Sequence, residues 1–175
     1  MIIGNNVRLR TKILGDAAND YCWQTDPEIT QLDAALPLTI NYRQYLSEYF
    51  NELHYPISAR CTFAIETLDG KHIGNCMYYA ISETKNETEM GIMIGDRCFW
   101  NKGYGTEAIS ILVSYVFQRT NLGRIYLKTL YINRRAQRCF EKSGFTSYGQ
   151  KAQGGYEFVL MEIKREQWWK QQMQV

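Results

Sequence analysis

Histidine is nearly missing from this 175-residue chain, which holds only His54 and His72. That leaves too little material for a His-rich metal centre or a Ser-His-Asp triad, so no metal is expected. Paired cysteines are missing too. Cys22, Cys61, Cys76, Cys98 and Cys139 are odd in number, scattered and never spaced C-x-x-C. This excludes a disulfide framework and a zinc knuckle, and reads as the reduced thiols of a cytoplasmic protein. No apolar run reaches the ~18 residues of a membrane span, and Met1 to Lys12 lack the pattern of a secretory signal. No membrane partner is expected. Internal repeats and low-complexity linkers are absent, and the 45% hydrophobic content suffices for one core. One domain over 1–175 is therefore expected.

What is present is charge segregated along the chain. Residues 13–42 contain no Lys or Arg but five acids, Asp16, Asp20, Asp26, Glu28 and Asp33. Residues 97–142 carry nine Lys/Arg against Glu107 and Glu141. One segment suits a cation and the other a polyanion, although solvated faces would give the same pattern. A nucleic-acid partner is not expected, because core and glycine positions interrupt the basic residues.

Periodicity places a short strand at Val7–Leu9, a helix from Gly15-Asp16 to about Gln24, and a loop-rich connection bounded by Pro27 and Pro37. A second helix runs from about Asn41 to Leu53. Phe63, Ile65 and Thr67 alternate before Asp69-Gly70, predicting a hairpin with a type I′ turn and a partner strand from Ile73. Glu89–Gly95 reads as a buried strand, Thr106 to about Asn121 as an amphipathic helix and Arg124–Leu130 as a strand. Arg134–Lys142 forms a basic helix, Phe145–Tyr148 and Tyr156–Ile163 the last strands, and the tail from 163 to Val175 a helix. Trp168 and Trp169 in that tail suit either a homodimer seam or cover for the chain's own domain.

The strongest local signal is Trp100-Asn101-Lys102-Gly103-Tyr104-Gly105-Thr106, where a buried strand leads through two glycines into a helix. Backbone N–H groups converge on an anion at such a junction, helped by the helix dipole. The third glycine and later acid of a dinucleotide fingerprint are missing.

The stretch from Ile92 through Ile94-Gly95, Trp100 and Gly103-Tyr104-Gly105-Thr106-Glu107, followed by Asn133-Arg134-Arg135 and Gly144-Phe145, resembles the GNAT superfamily of N-acetyltransferases. It is most similar to the branch of ribosomal-protein-alanine and spermidine acetyltransferases. The resemblance is close over 89–145 and loose elsewhere. It implies a mixed α/β single-domain GNAT fold, with a mostly antiparallel twisted sheet of about seven strands, a splayed strand pair and about four helices. It also implies acetyl-CoA as cosubstrate. Met93 and Ile94 would pair with the pantetheine arm, Asn101, Lys102, Gly103, Tyr104, Gly105 and Thr106 would hold the pyrophosphate, and Asn133 would hydrogen-bond the arm. Lys102, Arg134, Arg135 and Arg138 are the candidates to neutralise phosphate. Trp100 departs from the family's Gln or Arg and is expected to pack. Phe140 stands at the cofactor-side position where a family tyrosine often protonates the thiolate.

The reaction implied is direct attack by a primary amine on acetyl-CoA in a ternary complex. An amine with a pKa of about 10.4 is almost wholly protonated at neutral pH, so a base helps. By family position Glu89 is the candidate base, acting through water, and the Met93 amide N–H the oxyanion donor. Tyr131, or Tyr148, is the candidate proton donor in place of Phe140. The acidic segment 13–42 would form the acceptor wall. A cationic acceptor is therefore expected, whether a polyamine, an aminoglycoside or a protein N-terminal amine. The alternative is a non-catalytic acyl-CoA-binding sensor.

Overall fold

The computed structural model describes residues 1–56 and 59–173. Gln174 and Val175, part of the predicted tail helix, lie outside the described residues. Eight strands form one sheet in the order β1-β2-β3-β4-β5-β6-β8-β7. They are β1 Ile2–Ile3, β2 Val7–Thr11, β3 Arg60–Thr67, β4 His72–Ser82, β5 Glu87–Ile94, β6 Arg124–Leu130, β7 Thr146–Gln153 and β8 Tyr156–Lys164. The helices are α1 Ala17–Thr25, α2 Pro27–Leu32, α3 Tyr42–His54, α4 Tyr104–Arg119, α5 Arg134–Lys142 and α6 Arg165–Gln172. Every pairing is antiparallel except β5 with β6.

The expected mixed α/β class and mostly antiparallel sheet are present, with eight strands instead of about seven and six helices instead of about four. The extra strand is the two-residue β1, too short to show a periodicity. One extra helix is α2, in the stretch predicted to be loop. Asp26 caps it, its side chain accepting from the amides of Glu28 and Ile29, and Pro27 supplies the first helical φ. The β3–β4 turn also differs from the predicted type I′. It spans four residues, with Gly70 at φ +93 and Asp69 on the ordinary side of the map, so only one residue has the positive φ that type I′ needs twice.

The core lies where α4 crosses the sheet. Ile109, Leu112, Val113, Val116 and Phe117 recur at helical spacing and are buried against strand residues such as Leu9, Ile65 and Ile125. Trp168 of α6 packs on Phe117, with ring centroids 5.5 Å apart, so the tail covers its own domain there, while Trp169 stays half exposed. No helix among the described residues is long and apolar enough to cross a membrane.

Candidate active site

β5 and β6 pair only through Glu87–Arg124, Thr88–Ile125 and Glu89–Tyr126. Beyond Glu89 the parallel neighbours part, and β5, still paired with β4 on its other side, runs on along a cleft of about 410 Å³. Its backbone decides what the cleft can bind. The Gly95 amide donates to the Ile73 carbonyl at 3.0 Å. Counting back along the antiparallel register makes Met93–Asn75 a hydrogen-bonded pair, and Ile92–Cys76 and Ile94–Gly74 non-bonded pairs. The backbone groups of Ile92 and Ile94 therefore point away from β4, into the splay. Trp100 uses one of them, its indole N–H donating to the Ile94 carbonyl at 2.6 Å.

At the far end of the cleft, Asn101 (φ 58°) and Gly103 (φ 89°) turn the chain into α4. The first helical bond runs from Glu107 N–H to the Gly103 carbonyl at 3.0 Å, so the amides of Tyr104, Gly105 and Thr106 have no partner within the helix. Together with the dipole of a 16-residue helix they form an anion site. The two glycines serve different ends. A Cβ at Gly103 would meet nothing within 4 Å, so its positive φ is what favours glycine, whereas a Cβ at Gly105 would lie 3.3 Å from Cys139 Sγ, a contact tight enough that the Cys139 side chain would have to shift.

Arg135, Arg138 and Lys142 line the cleft against one acid, Asp33, giving +3 − 1 = +2. Arg135 lies flat over Trp100, 3.5 Å from the ring centroid, and its burial lowers its pKa from the ordinary arginine value. Arg97 also lies over Trp100, at 5.5 Å, but its guanidinium is bound to Asp26 and Glu28 at 2.8 and 2.7 Å. Asn133 caps α5, its Oδ1 accepting from Ala136 N–H at 3.1 Å, and its Nδ2 donates to the Leu32 carbonyl at 3.5 Å. That contact ties α5 to the end of α2.

A second cavity of about 950 Å³ opens beside the first, lined by α1, the α2–α3 connection, β4, β5 and the β6–β8 region. Leu32, Asp33, Ile92, Met93, Ala136 and Phe140 line both, so the two spaces meet there. Asp33 is itself exposed where it lines both spaces, and desolvation of its carboxyl by the surrounding protein raises it to about 6. Glu89 lines only the second cavity, opposite Tyr79 on β4 and Tyr126 on β6. Burial, and then the Glu89 carboxylate, push the Tyr79 hydroxyl up.

Most of the predicted donor set converges. Met93, Ile94, Asn101, Gly103, Gly105, Thr106, Asn133, Arg138 and Phe140 line the cleft, whereas Lys102 and Tyr104 do not. Lys102 is exposed to solvent, and the Tyr104 ring packs edge-on against Phe99 at 5.0 Å. Arg134 also lies outside, bonded to Gln137 and stacked over Tyr131 at 4.4 Å. Tyr131 lines neither cavity; Tyr148 is likewise absent from both linings and sits under Arg124. Met93 lines both spaces, but the register turns its amide toward β4 and away from the splay. Lys142 and Ile92 were not singled out in the sequence. The helical register of Arg135, Arg138 and Lys142, at intervals of three and four, was the available signal for the first.

The acidic segment is not an open anionic wall. Arg10 binds Asp16 at 2.7 Å, Lys12 binds Asp20 at 2.5 Å, and Arg97 takes Asp26 and Glu28. Of the five acids only Asp33 has no ion pair among the described residues.

Comparison with known proteins matches the model of the acetyltransferase (GNAT) domain over residues 6–146. An uncharacterized N-acetyltransferase, p20, of Bacillus licheniformis is 30% identical over 168 residues, covering 90% of this chain and 93% of the relative. Among solved structures, a spermidine N-acetyltransferase from Vibrio cholerae in complex with CoA and spermine superposes with a TM-score of 0.81 at 22% identity, covering 93% of this chain and 98% of that one. An aminoglycoside acetyltransferase in complex with coenzyme A gives 0.78 at 22% identity, covering 95% and 99%.

Proposed function

Since the chain belongs to the GNAT acetyltransferase family, we propose that it transfers the acetyl group of acetyl-CoA to a primary amine, by direct attack within a ternary complex. The observation that carries this is the meeting of a basic cleft and a second cavity at the run of β5 beyond its pairing with β6. The cosubstrate fits the cleft on chemical grounds. The amides of Tyr104 to Thr106 with Arg135, Arg138 and Lys142 suit its phosphates, and the free N–H and C=O of Ile92 and the N–H of Ile94 suit an amide-bearing arm laid beside β5 as an added strand.

The acetyl carbonyl would then lie where the cavities join. The Ile92 amide is the proposed oxyanion donor, since Ile92 lines both spaces while Ile94 lines only the cleft. Glu89 is the proposed base. It takes one proton from the incoming ammonium through water, freeing the nitrogen lone pair to form the N–C bond. The C–S bond breaks with its electron pair on sulfur, and the amine's second proton leaves through water to neutralise the thiolate. Phe140 offers no acid, and a thiol with a pKa of about 8.5 departs without one.

The test is thiol release from acetyl-CoA with the purified protein over a panel of amines. Amine-dependent release with a matching acetylated product is expected. Binding of acetyl-CoA without release to any amine would instead favour a sensor.

A further inference from the structure

The second cavity holds seven charged residues, four acids (Asp20, Asp33, Glu52, Glu89) and three bases (Lys12, Arg60, Lys128). Most are already neutralised. Asp20 has both carboxylate oxygens occupied, one by Lys12 at 2.5 Å and the other by the Asn75 side-chain amide at 2.6 Å. Glu52 is paired with Arg60. Among the described residues this leaves Asp33 and Glu89 as unpaired carboxylates, against Lys128, whose ammonium lies 5.4 Å over the Phe158 ring. The net charge is −4 + 3 = −1. The remaining walls are mainly apolar and aromatic, including Trp23, Leu36, Met77, Tyr156 and Phe158.

Resting on the acetyltransferase reading, we propose that the acceptor carries a single ammonium on an otherwise neutral body, and that Asp33 is the group that anchors this ammonium at the mouth of the donor cleft. Among the described residues Asp33 is the only carboxylate lining both cavities, so an ammonium held there lies where the acceptor space joins the donor cleft, which Ile92 of β5 also lines. Glu89, outside the cleft, is left to receive the proton. A second ammonium further in would find only Glu89, the carboxylate that the transfer needs free to take the proton, and a third would find no unpaired carboxylate among the described residues. It would face Lys12, Arg60 or Lys128, or would have to displace a cation from an existing pair, and an unpartnered charge in such a space is unfavourable. The apolar and aromatic walls and the side-chain amide of Gln153 instead suit a neutral body. Two sources share this chemistry, an arylalkyl monoamine and the N-terminus of a peptide with a neutral backbone.

Binding can be read without turnover. Calorimetric titration of the CoA-loaded protein would compare phenethylamine, an alanine-led tripeptide amide, spermidine and kanamycin at one ionic strength, for wild type, Asp33→Asn and Asp33→Glu. At least one monoammonium ligand is expected to bind tenfold or more tighter than either polycation, and which of the two does so identifies the source. Asp33→Asn should weaken that ligand tenfold or more while CoA affinity changes less than threefold, and Asp33→Glu should recover part of the loss. Tighter binding of spermidine or kanamycin, or an Asp33→Asn protein that binds the monoamine as wild type does, would overturn the inference. Thiol release from acetyl-CoA, run in parallel, judges the acetyltransferase reading separately.

Discussion

The donor cleft and the acceptor cavity share one strand but are built in opposite ways. The cleft is assembled largely from two contiguous stretches, 92–106 and 133–142, and its +2 charge is carried by cations that face the space. The cavity draws on Lys12 just after β2, α1, the α2–α3 connection, α3 and the sheet from β3 to β8, and its seven charged side chains are mostly spent on each other. A polyanionic ligand can be held by local backbone and a few cations, which one helix start and one neighbouring helix supply. A site for an organic amine needs shape and a placed charge, which distant elements must provide together.

The largest expected effect separates the two functionally. Glu89→Gln should lower kcat/KM by about 10²–10⁴ for an amine with a pKa of about 10, while acetyl-CoA affinity by titration stays within twofold. A matched loss in both would mean that Glu89 supports the cleft instead of the acceptor cavity. On the other side, Arg135→Ala should weaken acetyl-CoA binding about tenfold, in the range of a lost charge-assisted contact to phosphate, and should reduce the salt dependence of that binding. The KM for the amine at saturating donor should not move. Trp100→Ala is expected to reproduce part of the Arg135 effect, because the indole is the surface on which that guanidinium lies.

The contrast also explains what the sequence made legible. The phosphate loop could be read because Trp100 to Thr106 are consecutive and lead into the strongly periodic face of α4. The central strand could be placed, yet which amides it turns to the splay depends on one register, and a shift of one residue exchanges Met93 for Ile92. The acceptor side misled for a different reason. Charge counted along 13–42 looked unbalanced, but Arg10 and Lys12 precede that window and Arg97 lies far beyond it, and folding brings all three onto its acids. Helix α2 was legible in principle, through the cap-and-proline pattern of Asp26-Pro27, though its six residues are too few to show a periodicity. The ion-paired set of Arg8 and Arg10 with the buried Glu66, Asp16 and His72 joins β2, β3, β4 and the turn before α1, and nothing local announces it.

Asp33 extends the comparison to stability. Its carboxyl rises from the ordinary 3.8 to about 6 in the fold, so between those values the folded chain holds a proton that the unfolded chain has released. Stability therefore falls as pH rises through this window and stays lower above it. Asp33→Asn should raise the melting temperature by about 1–3 °C at pH 7.5, a small change because Asp33 is exposed and solvent screens its carboxylate. Below pH 3.8 the variant and wild type should melt together. A variant less stable at pH 7.5 would show that the carboxylate is held by a favourable partner and is not the free group that the acceptor cavity requires.

The smallest effect concerns the wall common to both spaces. Phe140 is buried at 5% exposure, lines cleft and cavity alike, and packs on Phe145 with ring centroids 5.7 Å apart. If the thiolate leaves unaided, Phe140→Tyr adds a hydroxyl that the reaction does not need, and kcat should change less than threefold between pH 6 and 9. Proton donation by a tyrosine typically matters where the leaving group is poor, and a thiol with a pKa of about 8.5 is not. An increase of tenfold or more, lost above the pH at which the new phenol ionises, would show that departure of the thiolate limits turnover. The donor side would then set the rate, and Glu89→Gln would depress kcat less than the acceptor-side chemistry predicts.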